Sequence, residues 1–351
     1  MAFPIRLFKY STNGPEDTTP LDRLRTEEGF EADDVLAVVG KSEGNGCVND
    51  FSRTLSSVVW HSRIPPTSIA VFSGGTEGAL NPHVTFVVKE QGGESTGVVA
   101  LVGRTRKFEP EEVGSSVQVR EVEKTIKGMM AEANLPPSLV HLALCKCPLL
   151  TTSKISSILA KGLEPITTDT YSSMGSSRYA AALGIAVALE EMSGSDEAIA
   201  EGLRSGGESW SARASCSSGA ELDDCHILLL AGEPHEVKPL PERKRLGISS
   251  GYMKDAIDAQ ALLAILDPIA AQGGRVVQVF VKAEASPSGL VRNKRHTMST
   301  DSDVHSTRHA RAAVGGLVAG LTGDTAVYVS GGAEGQGPPG GGSLTVVYEV
   351  A

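Results

Sequence analysis

The feature that most constrains this chain is a short stretch that it contains more than once. Val329-Ser330-Gly331-Gly332-Ala333-Glu334-Gly335 has a near copy in Phe72-Ser73-Gly74-Gly75-Thr76-Glu77-Gly78 and a weaker one in Cys216-Ser217-Ser218-Gly219-Ala220-Glu221-Leu222. Each follows an apolar run or sits just after one, and each continues into another strand-like segment. Shared S-(G/S)-G-(A/T)-E wording at three places reads as an internal threefold repeat, which bounds the fold before any local propensity does.

The 351 residues divide accordingly into units at 1–92, 97–232 and 246–351. Short linkers join them at 93–96 and 233–245, the second carrying three prolines and mixed charges. With 40% apolar and 21% charged residues, the chain has the balance of a folded globular protein rather than a disordered one. The net charge of −10 argues against an extended nucleic-acid surface. A small anionic ligand stays open, because a few buried arginines can dominate a local field. Cysteines stand at 47, 145, 147, 216 and 225, an odd number without ligand-spaced pairs, which points to a reducing compartment. No apolar run is long enough for a signal peptide or a bilayer span, so a cytoplasmic location and no membrane partner are expected.

Within the units the same order of elements recurs. A buried strand ends in a lysine: Lys41, Lys146 or Lys282. A helix then opens on Ser-Arg or Thr-Arg, placing Arg53, Arg178 and Arg308, with Ser52 as cap of the first. A further strand ends in Ser73, Ser217 or Ser330. This combination has a specific chemistry. A serine attacks a carbonyl only when a neighbouring base takes its proton. A lysine can be that base when burial disfavours its charged form. Backbone N–H groups of the turns, including Gly74, Ser218 and Gly331, can hold carbonyl oxygens and a developing oxyanion. Three arginines suit a planar, oxygen-rich, partly anionic ligand, itself close to threefold symmetric.

Longer runs carry a family resemblance. They are Gly40-Lys41-Ser42-Glu43-Gly44-Asn45-Gly46-Cys47-Val48-Asn49-Asp50, Val281-Lys282-Ala283-Glu284-Ala285-Ser286-Pro287, Ser306-Thr307-Arg308-His309-Ala310-Arg311, and Ser330 to Pro338, together with Ser73 to Gly78. Over nearly its whole length the chain resembles the cyanuric acid hydrolases and their barbiturase relatives. The resemblance implies an α+β fold of three similar domains, with helices outside and sheets forming a central barrel around one substrate. It implies hydrolytic opening of the s-triazine ring of cyanuric acid to carboxybiuret, which loses CO2 to give biuret, without a catalytic cofactor. It also implies a homo-oligomer, commonly a tetramer, and a structural Mg2+ or Ca2+ remote from the chemistry. That ion would be held by Glu284 and the loop residues Ala333, Gln336, Gly337, Pro338 and Gly341, whose carbonyls suit a hard cation.

The three Lys–Ser pairs differ in their neighbours. Lys41 has Glu43 two residues on and Lys282 has Glu284, on the same strand face, where a carboxylate would keep the lysine charged. Lys146 has Pro148 there. Ser217 is followed by Ser218 where the others have glycine. Lys146 and Ser217 are therefore the expected base and nucleophile, as the resemblance also implies. Two other functions compete: a barbiturase, whose substrate has CH2 for one ring NH, and a non-catalytic binder of small planar metabolites.

Overall fold

The computed structural model describes residues 2–206, 208–233 and 244–350. The linker expected at 233–245 lies mostly outside them. Strands β1 (Phe3–Ser11), β2 (Val35–Ser42), β3 (Ile69–Gly74) and β4 (His83–Lys89) are followed by β5 (Val98–Arg104), β6 (Val140–Pro148), β7 (Ala214–Gly219) and β8 (His226–Gly232). Then come β9 (Leu246–Met253), β10 (Arg275–Ala283), the small hairpin β11 (Leu290–Val291) and β12 (Lys294–Arg295), β13 (Tyr328–Gly331) and β14 (Gly342–Glu349). The helices are α1 (Thr19–Arg23), α2 (Phe51–His61), α3 (Ser116–Glu132), α4 (Thr152–Ala160), α5 (Thr170–Ala188), α6 (Asp196–Ser205), α7 (Ala259–Ala271) and α8 (Ser306–Thr322). None is long and apolar enough to cross a membrane.

One strand arrangement occurs three times. The order is β3-β2-β4-β1, then β7-β6-β8-β5, then β13-β10-β14-β9. In each, the second strand listed (β2, β6 or β10) runs parallel to the first (β3, β7 or β13) and antiparallel to the third (β4, β8 or β14). The parallel register places Lys41 opposite Ser73, Lys146 opposite Ser217 and Lys282 opposite Ser330. Each second strand also has a bulge-like irregularity, at Val35, Val140 and Val276, the same distance ahead of its lysine. A bulge bends and twists its strand, so all three lysines leave the sheet at comparable places.

The sheets do not close into the expected barrel. The first two groups join through β1 and β5 into one open eight-stranded sheet, and the third remains a separate four-stranded sheet. The junction pairs Phe3 with Ala100 and Pro4 with Val99. The strands nevertheless approach one another without hydrogen-bonded pairing: β13 lies close to β2 and β7, and β3 to β6. A shared apolar core with Val39, Leu144, Phe280 and Tyr328 runs between the sheets.

The helices are buried to different depths, which shifts several expected boundaries. Helix α2 begins at Phe51, and its cap is Asp50, which accepts the Arg53 N–H at 3.0 Å; Ser52 instead donates its hydroxyl to Asp50 at 2.7 Å. A carboxylate at this position is also favoured by the helix dipole. Helix α5 starts at Thr170 under an Asp169 cap, so Arg178 lies mid-helix rather than at its first turn. Its Ala-rich centre is wholly buried, allowing close packing against α3 and β7.

Candidate active site

The ends of β3, β7 and β13 meet in a small cleft. Its walls carry Ser73, Gly74, Ser217, Ser218, Ser330 and Gly331, together with Arg53, Arg178, Arg311 and Lys146. The sequence-predicted serines, two of the three predicted arginines and one of the three lysines are thus brought to one place. Lys41 and Lys282 are fully buried behind the wall.

Arg308 does not line the cleft. Its side chain is 38% exposed and pairs with Glu77, at 3.3 Å. Arg311, one turn further along α8, is the buried arginine that reaches the site. The two residues share a helix face, so a repeat aligned on the first arginine of Ser306-Thr307-Arg308 lands one turn short.

Each site arginine is held by the glutamate of another unit's serine motif. Glu334 forks onto Arg178 at 2.8 and 2.7 Å, and Glu77 forks onto Arg311 at 2.8 and 2.5 Å. Glu221 stands 3.4 Å from Arg53. The glutamates recur in the motif itself, but no role was expected of them. Burial would raise their pKa values, yet the neighbouring cations more than offset it: Arg178 takes Glu334 to about 2, Arg311 lowers Glu77, and Lys146 followed by Arg53 lowers Glu221. Arg178 further donates to the Ser218 hydroxyl at 3.2 Å, and Arg311 to the Asn45 carbonyl at 3.0 Å. The motif glycines make this approach possible. Gly332 has φ +76°, and a Cβ there would come within 2.5 Å of the Arg178 guanidinium.

Burial is the main force on all three lysines. It lowers Lys41 well below its usual range, Lys146 to about 8 and Lys282 to about 7. Lys41 donates to Ser73 Oγ at 3.3 Å and Lys282 to Ser330 Oγ at 2.9 Å. Lys146 instead donates to the carbonyl of Phe72 at 2.8 Å and stands 3.2 Å from Glu221. Ser217 Oγ is buried and makes no hydrogen bond of normal geometry among the described residues, although the buried Tyr328 hydroxyl acts on it and on Ser73.

The expected asymmetry of carboxylates is reversed. Glu43 is exposed, Glu284 forms no ion pair with Lys282 among the described residues, and Lys146 is the lysine with a carboxylate beside it. Spacing along one strand missed this because Glu221 arrives from the turn after β7, not from β6.

Glu284 faces the Gly/Pro loop, where one of its oxygens accepts the Gly340 N–H at 2.9 Å. Burial, and then Glu334, pushes its carboxyl up to about 7. No group of three or more His, Cys, Asp or Glu suitable for a metal occurs among the described residues. A cation would therefore rely on Glu284 and backbone carbonyls. The Ala333, Gln336 and Pro338 carbonyls each already accept one backbone N–H but keep a second lone pair. A half-buried carboxyl with no ion pair within 4.0 Å among the described residues, beside such a loop, fits a hard ion. The Gln336 side chain is engaged elsewhere, accepting from the Cys216 N–H and donating to the Gly332 and Glu334 carbonyls.

The family model described as amidohydrolase ring-opening protein matches residues 6–349. The chain belongs to this family. A cyanuric acid amidohydrolase of Sarocladium sp is 53% identical over 348 residues, covering 99% of both chains. One from Pseudomonas sp. (strain ADP) is 39% identical over 366 residues, with 98% of this chain and 99% of the relative covered. Among solved structures, cyanuric acid hydrolase from A. caulinodans superposes with a TM-score of 0.90 at 38% identity over the whole of both chains. The family member described here is therefore a hydrolase of amide bonds.

Proposed function

We propose that this enzyme is a cyanuric acid amidohydrolase that opens the s-triazine ring with Ser217 as nucleophile and Lys146 as its base. One observation carries the assignment: Lys146 alone among the three lysines lines the cleft, and Ser217 alone among the motif serines is not bonded to a lysine. The names of the relatives support the substrate, and three arginines from three units match a ring with three carbonyl groups.

In this mechanism the Ser217 proton passes to the neutral Lys146 amine as Oγ bonds to a ring carbonyl carbon. The carbonyl π pair moves onto oxygen, where N–H groups of the turns stabilise it. Collapse of this intermediate breaks the ring C–N bond, and the Lys146 ammonium returns its proton to the departing nitrogen. Water then releases the acyl group as carboxybiuret, which loses CO2 to give biuret. Arg53, Arg178 and Arg311 orient the ring and draw electrons from its carbonyls. Ser73 and Ser330, bonded to their own lysines, hold the other carbonyls.

The units at 1–92, 97–232 and 246–351 are read as pseudo-threefold repeats, supported by their common strand order and register. Assembly into a homo-oligomer belongs to the same proposal. Phe51, Leu55 and Val58, exposed at 79%, 43% and 62% on one side of α2, support it. A structural Mg2+ or Ca2+ at Glu284 would neutralise that carboxyl and tie the loop to β10.

Ser217→Ala and Lys146→Ala should each lower kcat with cyanuric acid by several orders of magnitude. The double variant should be little worse than either, because the pair acts as a unit. Substantial turnover by folded Ser217→Ala, with loss in Ser73→Ala or Ser330→Ala, would move the chemistry to another unit. Faster turnover of barbituric acid than of cyanuric acid would reassign the substrate.

A further inference from the structure

The three motif glutamates occupy matching places but do not do the same thing. Glu77 and Glu334 each present both carboxylate oxygens to one arginine. Glu221 does not form such a fork. Its Oε1 lies 3.4 Å from Arg53 Nε and 3.2 Å from Lys146 Nζ, and neither oxygen makes a hydrogen bond of normal geometry among the described residues. Arg53 places another of its nitrogens on the Cys47 carbonyl, at 3.3 Å. Neither Lys41 nor Lys282 has an ion pair within 4.0 Å among the described residues; each is bonded to its serine instead.

The backbone provides room for this difference. Gly75 and Gly332 adopt φ of +99° and +76°, whereas Gly219, their counterpart, has no left-handed φ. A Cβ on Gly219 would come within 2.0 Å of Glu221 Oε2. The Glu221 carboxylate is thus tucked over a bare glycine, with its side chain only 5% exposed.

We infer that Glu221 is a positioning residue for Lys146, completing a Ser217–Lys146–Glu221 arrangement and setting this pair apart from the two otherwise equivalent Lys–Ser pairs. This rests on Ser217 and Lys146 being the reacting pair. When Lys146 takes the serine proton it becomes an ammonium in a buried site, where an uncompensated charge is costly. Glu221 remains ionised throughout and compensates that charge without accepting the proton. It also turns Nζ away from a permanent bond to Ser217, leaving the hydroxyl free to meet substrate. The ionisable groups facing Lys146 are Glu221, Arg53 and the Cys147 thiol, and burial keeps that thiol neutral by raising it to about 12. Of these, Glu221 alone favours the ammonium as an anion at neutral pH. In the other two units the glutamate is committed to arginine, so those lysines serve as donors that hold their serines.

The test is the pH dependence of kcat and kcat/KM for Glu221→Gln, measured on cyanuric acid beside Glu77→Gln and Glu334→Gln. Loss of the carboxylate should lower kcat roughly ten- to hundredfold, part of the 10²–10⁴ typical of general-base catalysis. It should also move the acid limb of the profile to lower pH, because the ammonium loses its partner. Glu77→Gln and Glu334→Gln should raise KM and leave the limb in place. An unmoved limb in folded Glu221→Gln, with its loss confined to KM, would make Glu221 a support for Arg53 only and overturn the inference. Equal limb shifts in all three variants would overturn it too. If Glu221→Gln fails to fold, Gly219→Ala decides, since alanine tolerates that backbone and displaces the carboxylate without removing it. It should show the same shift, and a wild-type profile would refute the proposal. Undiminished turnover by Lys146→Ala would instead refute the underlying choice of base, whatever Glu221→Gln does.

Discussion

Replacing Arg311 with alanine should damage the enzyme far more than replacing Arg308, although the two are neighbours on one face of α8. Arg311 is 3% exposed and forks onto Glu77, whose side chain is only 11% exposed. Removing one partner of a buried ion pair typically costs about 3–5 kcal/mol, because the other charge stays buried. Arg308, still 3.3 Å from Glu77, would offset part of this, leaving a loss of about 2–3 kcal/mol. At roughly 2–4 °C per kcal/mol for domains of 150–250 residues, the melting temperature should fall on the order of 5–10 °C. The lost charged hydrogen bond to substrate, about 1.5–3 kcal/mol, should lower kcat/KM roughly ten- to hundredfold. Arg308→Ala removes a partly exposed contact worth about 0–1 kcal/mol and should change either quantity little. Thermal melts and steady-state kinetics on both variants measure this directly. Comparable activity losses in the two variants, or near-normal kcat/KM in Arg311→Ala, would refute the placement of Arg311 in the site.

The wild-type acid limb of kcat/KM should lie near pH 8, since burial lowers Lys146 to about that value and only its neutral form accepts the serine proton; a limb at ordinary carboxylate pH would identify another base. Stability should be lost on acidification through Glu334. Its pKa falls from 4.5 to about 2 in the fold, so its contribution is present above 4.5 and lost as pH drops toward 2; Glu334→Gln should flatten that part of a stability-versus-pH curve. Mg2+ or Ca2+ should raise the melting temperature, and chelation or Glu284→Gln should lower it more than the chemical step. Because burial raises Glu284 to about 7, ion binding near neutral pH should release protons; a melting temperature indifferent to both ions would remove the site.

Much of this architecture was readable because strand ends carry their own signals. Apolar runs before Lys41, Lys146 and Lys282 predicted the parallel strands, and the S-(G/S)-G-(A/T)-E stretches predicted the turns beside them. What escaped depends on relations between units. Arg311 could not be separated from Arg308 by spacing, since only packing decides which turn of α8 faces inward. Glu77, Glu221 and Glu334 were visible as a repeated letter, but their arginine partners lie 156 to 234 residues away, each in another unit. The open sheets were hidden for the same reason, because the expected closure depends on whether β9 and β13 bond to neighbours that local sequence does not specify. Same-face spacing does not rank the lysines, because Glu43 is exposed and Glu284 forms no ion pair with Lys282 among the described residues, while the turn after β7 delivers a carboxylate to Lys146.

The arginine–glutamate contacts run in one direction around the molecule. Arg53 of the first unit leans on the second, Arg178 of the second on the third, and Arg311 of the third on the first. Such a closed circuit has no terminal member, so an injury is felt elsewhere than where it is made. A change in the turn after β13 loosens a helix of the middle unit, and a change after β3 loosens one in the last. Removing any one unit would leave one arginine without its glutamate and one glutamate without its arginine. The cleft is therefore a property of the completed circuit, and no single unit could display it in the same form.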